Sequence, residues 1–242
     1  SFYTLGRYGD ALNSALKLER AVDNTIGRLS PVYASCLNNI ALMNKMLGHS
    51  DVAIDKYTEA LQVYESTVGK EHSSYASALS NVGILYRSMA ETLSGMSRLQ
   101  HLNSAEQALQ EALDIRTALA PGKNMAHSRD ALNSAMNLAM VRRMLQSESE
   151  EGLRECEKQL RRVLLMCRQL CGDSDSMTAV VLSNLGVFLK GTGQLEEARA
   201  AYDEALDIRS KTLGDSHPDT VISMHNLAEL YVAMNEQEKS EQ

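Results

Sequence analysis

Residues 33–48 read YASCLNNIALMNKMLG, and their apolar positions recur at helical rather than alternating spacing. With Asn39 as origin and about 100° per residue, Leu37, Ile40, Ala41 and Asn44 fall on one flank. Asn39 itself opens the other flank, with Ser35, Asn38, Leu42, Lys45 and Met46. The same pattern returns around Asn81 in SNVGILYR, Asn137 in MNLAMVRR, Asn184 in SNLGVFLK and Asn226 in HNLAELYV. Aligned in this way, the position two after the asparagine is always small: Ala41, Gly83, Ala139, Gly186 and Ala228. Such a column lets a second helix approach closely, so this flank is the packing face.

A second helical motif follows each of the first four anchors, led by Ala53, Ala105, Cys156 and Ala198. Asn39 and Asn81 stand 42 residues apart, as do Asn184 and Asn226. The longer middle gaps arise from ten extra residues in the second unit, around SMAETLSGMSRLQHLN, and five in the third, around LQSESEEGLRE, with the rest in the loop APGKNMAHSRD. A fixed period of this size is the signature of stacked helix hairpins. First helices are expected to end near Gly48 and Gly193. Second helices are expected to end at Gly69, Gly122, Gly172 and Gly214, where glycine suits a left-handed cap. The reading gives an all-α chain and one array over 1–242. Residues 1–30 supply the second helix of a partial repeat, and repeats follow at 31–74, 75–126, 127–176 and 177–218. A partial repeat over 219–242 is expected to stop inside its second helix. Ten helices are therefore expected, with a partial one after them.

Composition agrees: 44% of residues are hydrophobic, 5% aromatic, and the 242-residue chain has no Trp and three Pro. That mixture favours helix and supports strands poorly. The formal charge of −7 argues against nucleic acid and anionic membranes as generic partners. No apolar run approaches the roughly 18 residues that suggest a membrane-spanning helix. The opening SFYTLGRYGD lacks the features of a signal peptide and an initiator Met, so a fragment or processed form of something longer is expected.

The segments LNNIALMNKMLG and LSNLGVFLKGTGQLEEARAAYDEALDIRSKTLGDSHPDTV resemble the tetratricopeptide repeat, in the 42-residue form of kinesin light chains and nephrocystin-like proteins. Ala198, Tyr202 and Ala205 match its small–large–small second helix, and His217-Pro218, echoed by His72, matches its loop. The resemblance implies a right-handed superhelical solenoid of antiparallel helix pairs whose first helices line a concave groove. It also implies that the anchor asparagines, Asn39, Asn81, Asn137, Asn184 and Asn226, hold peptide backbone.

The residue six after each anchor is basic in four of five units: Lys45, Arg87, Arg143 and Lys190, with Val232 in the fifth. Asn38 and Ser183, one before their anchors, complete the candidate peptide-binding set. An amide both donates and accepts, so it can bind backbone without reading sequence, and the adjacent cations favour an acidic segment or a terminal carboxylate. The competing reading is that the asparagines fix the stacking of neighbouring repeats and that the cations are a solvated face.

No site for catalysis, cofactor or metal is expected. The six His are scattered, GTGQ at Gly191 lacks the Lys and hydroxyl of a phosphate loop, and the carboxylates belong to exposed helix faces. Cys167 and Cys171 are one turn apart without a companion His; they are read with Cys36 and Cys156 as reduced thiols. The function expected is a non-catalytic scaffold that binds a protein or peptide segment. The alternative is a structural subunit or assembly factor held in a large organellar or cytoskeletal complex through its convex face and ends. A cytoplasmic setting is expected, or mitochondrial or other organellar after removal of a targeting sequence. The second-unit insertion should lengthen its hairpin or bulge, leaving Met96 and Leu99 partly exposed.

Overall fold

The computed structural model describes residues 7–120, 125–146 and 149–240, with side chains except those of 125–128 and 236–240. Among the described residues there are ten α-helices and no strands. They are α1 (Tyr8–Thr25), α2 (Pro31–Met46), α3 (Ser50–Thr67), α4 (Ser73–Thr92), α5 (Gly95–Ala118), α6 (Met125–Leu145), α7 (Glu150–Cys171), α8 (Ser176–Gly191), α9 (Leu195–Leu213) and α10 (Pro218–Ser240).

Their starts are fixed by side chains that take up orphan backbone N–H groups. Ser30 Oγ accepts from Tyr33 N at 3.2 Å, with Pro31 at the first helical position. Asp175 caps Met177 N at 2.9 Å. His72 and His217 do the same through Nδ1, accepting from Ser74 N at 3.1 Å and Asp219 N at 3.2 Å. The two loop histidines therefore serve as helix caps. Six connecting glycines, among them Gly48, Gly193 and Gly214, have φ between 79° and 95°, a region costly for any side chain. Gly122, expected to do likewise, lies outside the described residues. The expected partial helix after α10 is not separate: α10 continues unbroken to Ser240. Asn235 stands there where Gly48 and Gly193 stop α2 and α8, so the stop signal is missing.

The helices fall into two compact units, Ser1–Val141 and Arg142–Gln242, divided within α6. In the first, α2 pairs with α3 and α4 with α5, and α4 also packs on α2 and α3. Its core joins Tyr33, Ala34 and Leu37 of α2 to Ala60 and Tyr64 of α3, Tyr75 and Leu79 of α4, and Ala112 of α5. A second cluster holds Ala41, Ala53, Tyr57, Val82 and Leu85. In the second unit α8 pairs with α9, α7 packs on α8 and α10 on α9. Ala179, Leu182, Ala201, Ala205 and Ile208 form a core cluster there.

The small column does what its chemistry demands. A Cβ on Gly83 would lie 2.6 Å from Leu109 Cγ, and one on Gly186 would lie 2.5 Å from Tyr202 Cε1. At these two hairpins, α4–α5 and α8–α9, there is no room for a methyl group.

The second-unit insertion lengthens its hairpin. Thr92, the last residue of α4, is 11 past Asn81, whereas Met46 is seven past Asn39. α5 begins ten residues before Ala105, against three for α3 before Ala53. Met96 and Leu99 on that extension are 79% and 45% exposed, as expected from the sequence.

Candidate peptide-binding surface

The eleven candidate residues divide between the units: Asn38, Asn39, Lys45, Asn81, Arg87 and Asn137 in the first, Arg143, Ser183, Asn184, Lys190 and Asn226 in the second.

In the first unit Asn39 is exposed, while Asn38 and Asn81 are half-buried. The Asn81 amide nitrogen donates to Asn38 Oδ1 at 3.1 Å, across neighbouring hairpins. Asn137 donates to the carbonyl of Asn133, four residues back on its own helix, at 2.9 Å. Beside Asn38 opens a polar cavity of about 410 Å³, lined by Ser35, Asn38, Tyr64, Ser73, Ser74, Ser77 and Asp130.

Lys45 borders a larger hollow of about 600 Å³ with Met46, Ser50, Asp51, Leu85, Ser88 and Met89. Its ammonium is half-buried and has no ion-pair partner among the described residues. Burial, and then the neighbouring Arg87 guanidinium, pull its pKa below the ordinary lysine value. Among the described residues Arg87 reaches only the exposed Glu91, at 3.9 Å, and its buried Nε finds no hydrogen-bond partner. Two cations thus stand together with little counter-charge, an arrangement that an arriving anion relieves.

In the second unit the charge is already answered. Lys190 Nζ lies 2.8 Å from Glu229 Oε2, and this pair, ahead of all else, holds the Glu229 carboxyl below its usual pKa. The Arg143 guanidinium lies against Gly191, 2.8 Å from where a Cβ would be. Asn184 donates to the Val180 carbonyl at 2.9 Å, and Asn226 is half-buried. Ser183 is not on an open face: it is 9% exposed and its hydroxyl donates to the Ala179 carbonyl. Ser80 and Met136, one before their anchors, are also buried, at 7% and 5%.

That flank closes because a stacked first helix is covered from several sides, not by its own second helix alone. A network unforeseen from the sequence occupies it. The Arg116 guanidinium, 6% exposed, donates to Ser80 Oγ at 2.8 Å, Ser134 Oγ at 2.5 Å, Ser77 Oγ at 3.2 Å and the Asp130 carbonyl at 3.1 Å. Arg209, 8% exposed, repeats the arrangement, donating to Ser223 Oγ at 2.5 Å and the Asp219 carbonyl at 3.4 Å. Burial lowers the pKa of both guanidiniums. The signal was the repeated ALDIR, at 112–116 and 205–209, an arginine at a position that helical phase turns inward.

The described residues contain no helix long and apolar enough to cross a membrane and no cluster of three or more potential metal ligands. What the fold defines is a repeat protein of paired helices. Tetratricopeptide repeat models match residues 34–74 and 177–242. Its fold is similar to BtubC (BKLC) from P. vanneervenii, with TM-score 0.66, 20% identity, and coverage of 97% of this chain and 87% of that one. It is also similar to a Podosopora anserina kinesin light chain with nearly identical TPR-like repeats (TM-score 0.62, 14% identity, 88% and 92% covered). A Rap protein complexed with competence and sporulation factor superposes with TM-score 0.66 at 16% identity, over 91% of this chain and 54% of that one. No curated protein matches the sequence. Residues 34–74 and 177–242 are thus tetratricopeptide repeats, and the chain has the fold of the kinesin-light-chain-like arrays. Such repeats are protein–protein interaction modules, typically without catalytic activity.

Proposed function

We propose that this chain is a non-catalytic scaffold that binds an extended acidic segment of a partner protein, with the first unit as receiver. One observation carries the reading: Lys45 stands half-buried beside Arg87, without a counter-ion among the described residues, at the rim of a 600 Å³ hollow. A carboxylate placed there removes the repulsion between the two cations. Asn39 and the polar cavity beside Asn38 supply donors and acceptors for the backbone of the same segment. The proposal extends to one array of repeats over 1–242 and to a cytoplasmic setting, in keeping with four free cysteines, three of them buried.

The second reading, a structural subunit held in a larger complex, is favoured by the Asn81–Asn38 bond between hairpins and by the internal Lys190–Glu229 pair. Both show candidate residues engaged in the array's own cohesion. Pull-downs with wild type, Lys45→Glu/Arg87→Glu and Lys190→Ala distinguish the two. The groove reading expects the first variant to lose its partners with helicity unchanged, while Lys190→Ala keeps them. Full retention by the double variant overturns it in favour of the structural role.

A further inference from the structure

The second helices share an outward stripe at two, five, six and nine residues past their leading small residue. On α3 it reads Asp55, Thr58, Glu59 and Gln62; on α5, Gln107, Gln110, Glu111 and Asp114; on α9, Ala200, Asp203, Glu204 and Asp207. All three are acidic, as the overall charge of −7 leads one to expect. On α7 the same positions are Lys158, Arg161, Arg162 and Leu165. The sign is reversed, and a leucine stands where the others have Gln62, Asp114 and Asp207.

The structure keeps this stripe open. α7 buries Cys156, Leu160, Val163 and Cys167, and the opposite side shows Leu165 at 58% and Met166 at 41% exposure. Around them, Arg161 is tied to Glu157 at 2.8 Å and Glu197 at 2.6 Å. Among the described residues Lys158 reaches only Glu155, at 3.9 Å, and its side chain is 80% exposed. Arg162 is exposed and has no ion-pair partner among the described residues. Two apolar side chains, one turn from Arg162 and two from Lys158, beside cations with little or no counter-charge among the described residues, fit a complementary surface better than solvent.

We infer that the outer face of α7 is a second interaction surface, separate from the Lys45 site, and that its occupant is an acidic amphipathic helix of a partner protein. The spacing argues for a helix. Lys158, Arg162 and Leu165 fall along one line of α7, so a partner helix lying along it presents carboxylates to the cations and an apolar residue to Leu165 and Met166.

The test uses the 242-residue chain and two synthetic 18-residue amphipathic peptides of identical leucine pattern, one flanked by glutamates and one by lysines. Fluorescence anisotropy is read at low and high salt. The expected result is binding of the glutamate peptide about tenfold or more tighter than the lysine peptide, weakening with salt. Lys158→Glu/Arg162→Glu should invert that preference, and Leu165→Asp should weaken binding about fivefold or more. The same titrations in the Lys45→Glu/Arg87→Glu background, where the proposed groove is disabled, isolate this surface: the glutamate preference should persist there and disappear when Lys158→Glu/Arg162→Glu is added. Equal binding of both peptides, or an unchanged preference in the double variant, overturns the inference. So does co-sedimentation with phosphatidylserine vesicles without peptide binding, which assigns the face to a membrane. So does self-association abolished by Arg162→Glu, which assigns it to a second copy.

Discussion

Gly186→Ala tests the hairpin register with a single methyl group. Gly186 lies mid-helix in α8, where alanine is intrinsically better by about 0.5–1 kcal/mol. Propensity alone therefore predicts stabilisation. The structure predicts the reverse. The new Cβ would sit 2.5 Å from Cε1, 2.6 Å from Cδ1 and 3.0 Å from Cζ of Tyr202. That ring is 1% exposed, so it has no solvent-side space into which to swing. Overpacking of a closed core costs about 1–3 kcal/mol. At the middle of each range the helical gain offsets less than half of that cost, leaving a net loss of about 1 kcal/mol. Gly9→Ala is the internal control: Gly9 is helical in α1 and no atom lies within 4 Å of its would-be Cβ, so only the propensity gain remains. Urea unfolding reads both, as a shift in midpoint at unchanged slope. Adding Tyr202→Leu to Gly186→Ala should cost less than the two single losses summed, because the leucine vacates the contested space. Gly186→Ala as stable as wild type, or more so, would refute the close approach of α8 and α9 and with it the register of the small column.

Two other outcomes follow from the same structure. Arg116→Ala should destabilise the first unit by about 2–4 kcal/mol in urea unfolding, since four hydrogen bonds from a buried guanidinium are lost together; Ser77→Ala, removing the longest of them, should cost well under half of that. Lys45→Met should raise stability at pH 7 while weakening capture of an acidic segment. The folded-state pKa of Lys45 lies below its unfolded value, so at this group the unfolded chain binds more protons between the two and its contribution to stability rises with pH through that window. Buried Cys36, Tyr33, Tyr64, Tyr75 and Tyr202, whose pKa values are raised, pull stability down over the same range in both proteins, so thermal midpoints from pH 7 to pH 11 should fall less steeply in wild type than in Lys45→Met; parallel profiles would refute the Lys45 contribution.

Much of the fold was legible because the repeat states its rule several times over. The small column predicted contacts that Gly83 and Gly186 make, and the ten-residue surplus predicted either a longer hairpin or a bulge with Met96 partly exposed, of which the longer α4–α5 hairpin is the one found. The site was less legible, for a geometric reason. Phase on a single helix tells which flank meets its own partner, but not what the neighbouring hairpin covers. Ser183 was therefore placed on the open stripe and lies buried, and Ser80 and Met136 share its fate. Arg116 and Arg209 were passed over because an arginine near a helix end is ordinarily exposed; their inward turn depends on serines of the next first helix, Ser134 and Ser223, which periodicity alone does not connect to them. The second helix expected to begin after α10 does not: Asn235 stands where Gly48 and Gly193 end α2 and α8, and α10 runs on to Ser240.

The most direct measurement of the central claim is amide hydrogen exchange on the chain with and without a saturating acidic peptide. Binding through the first unit predicts new protection along α2 and α4 near Lys45 and Arg87, with α9 unchanged, and loss of that protection in Lys45→Glu/Arg87→Glu. Protection confined to the second helices, or unaffected by the two charge reversals, would contradict it.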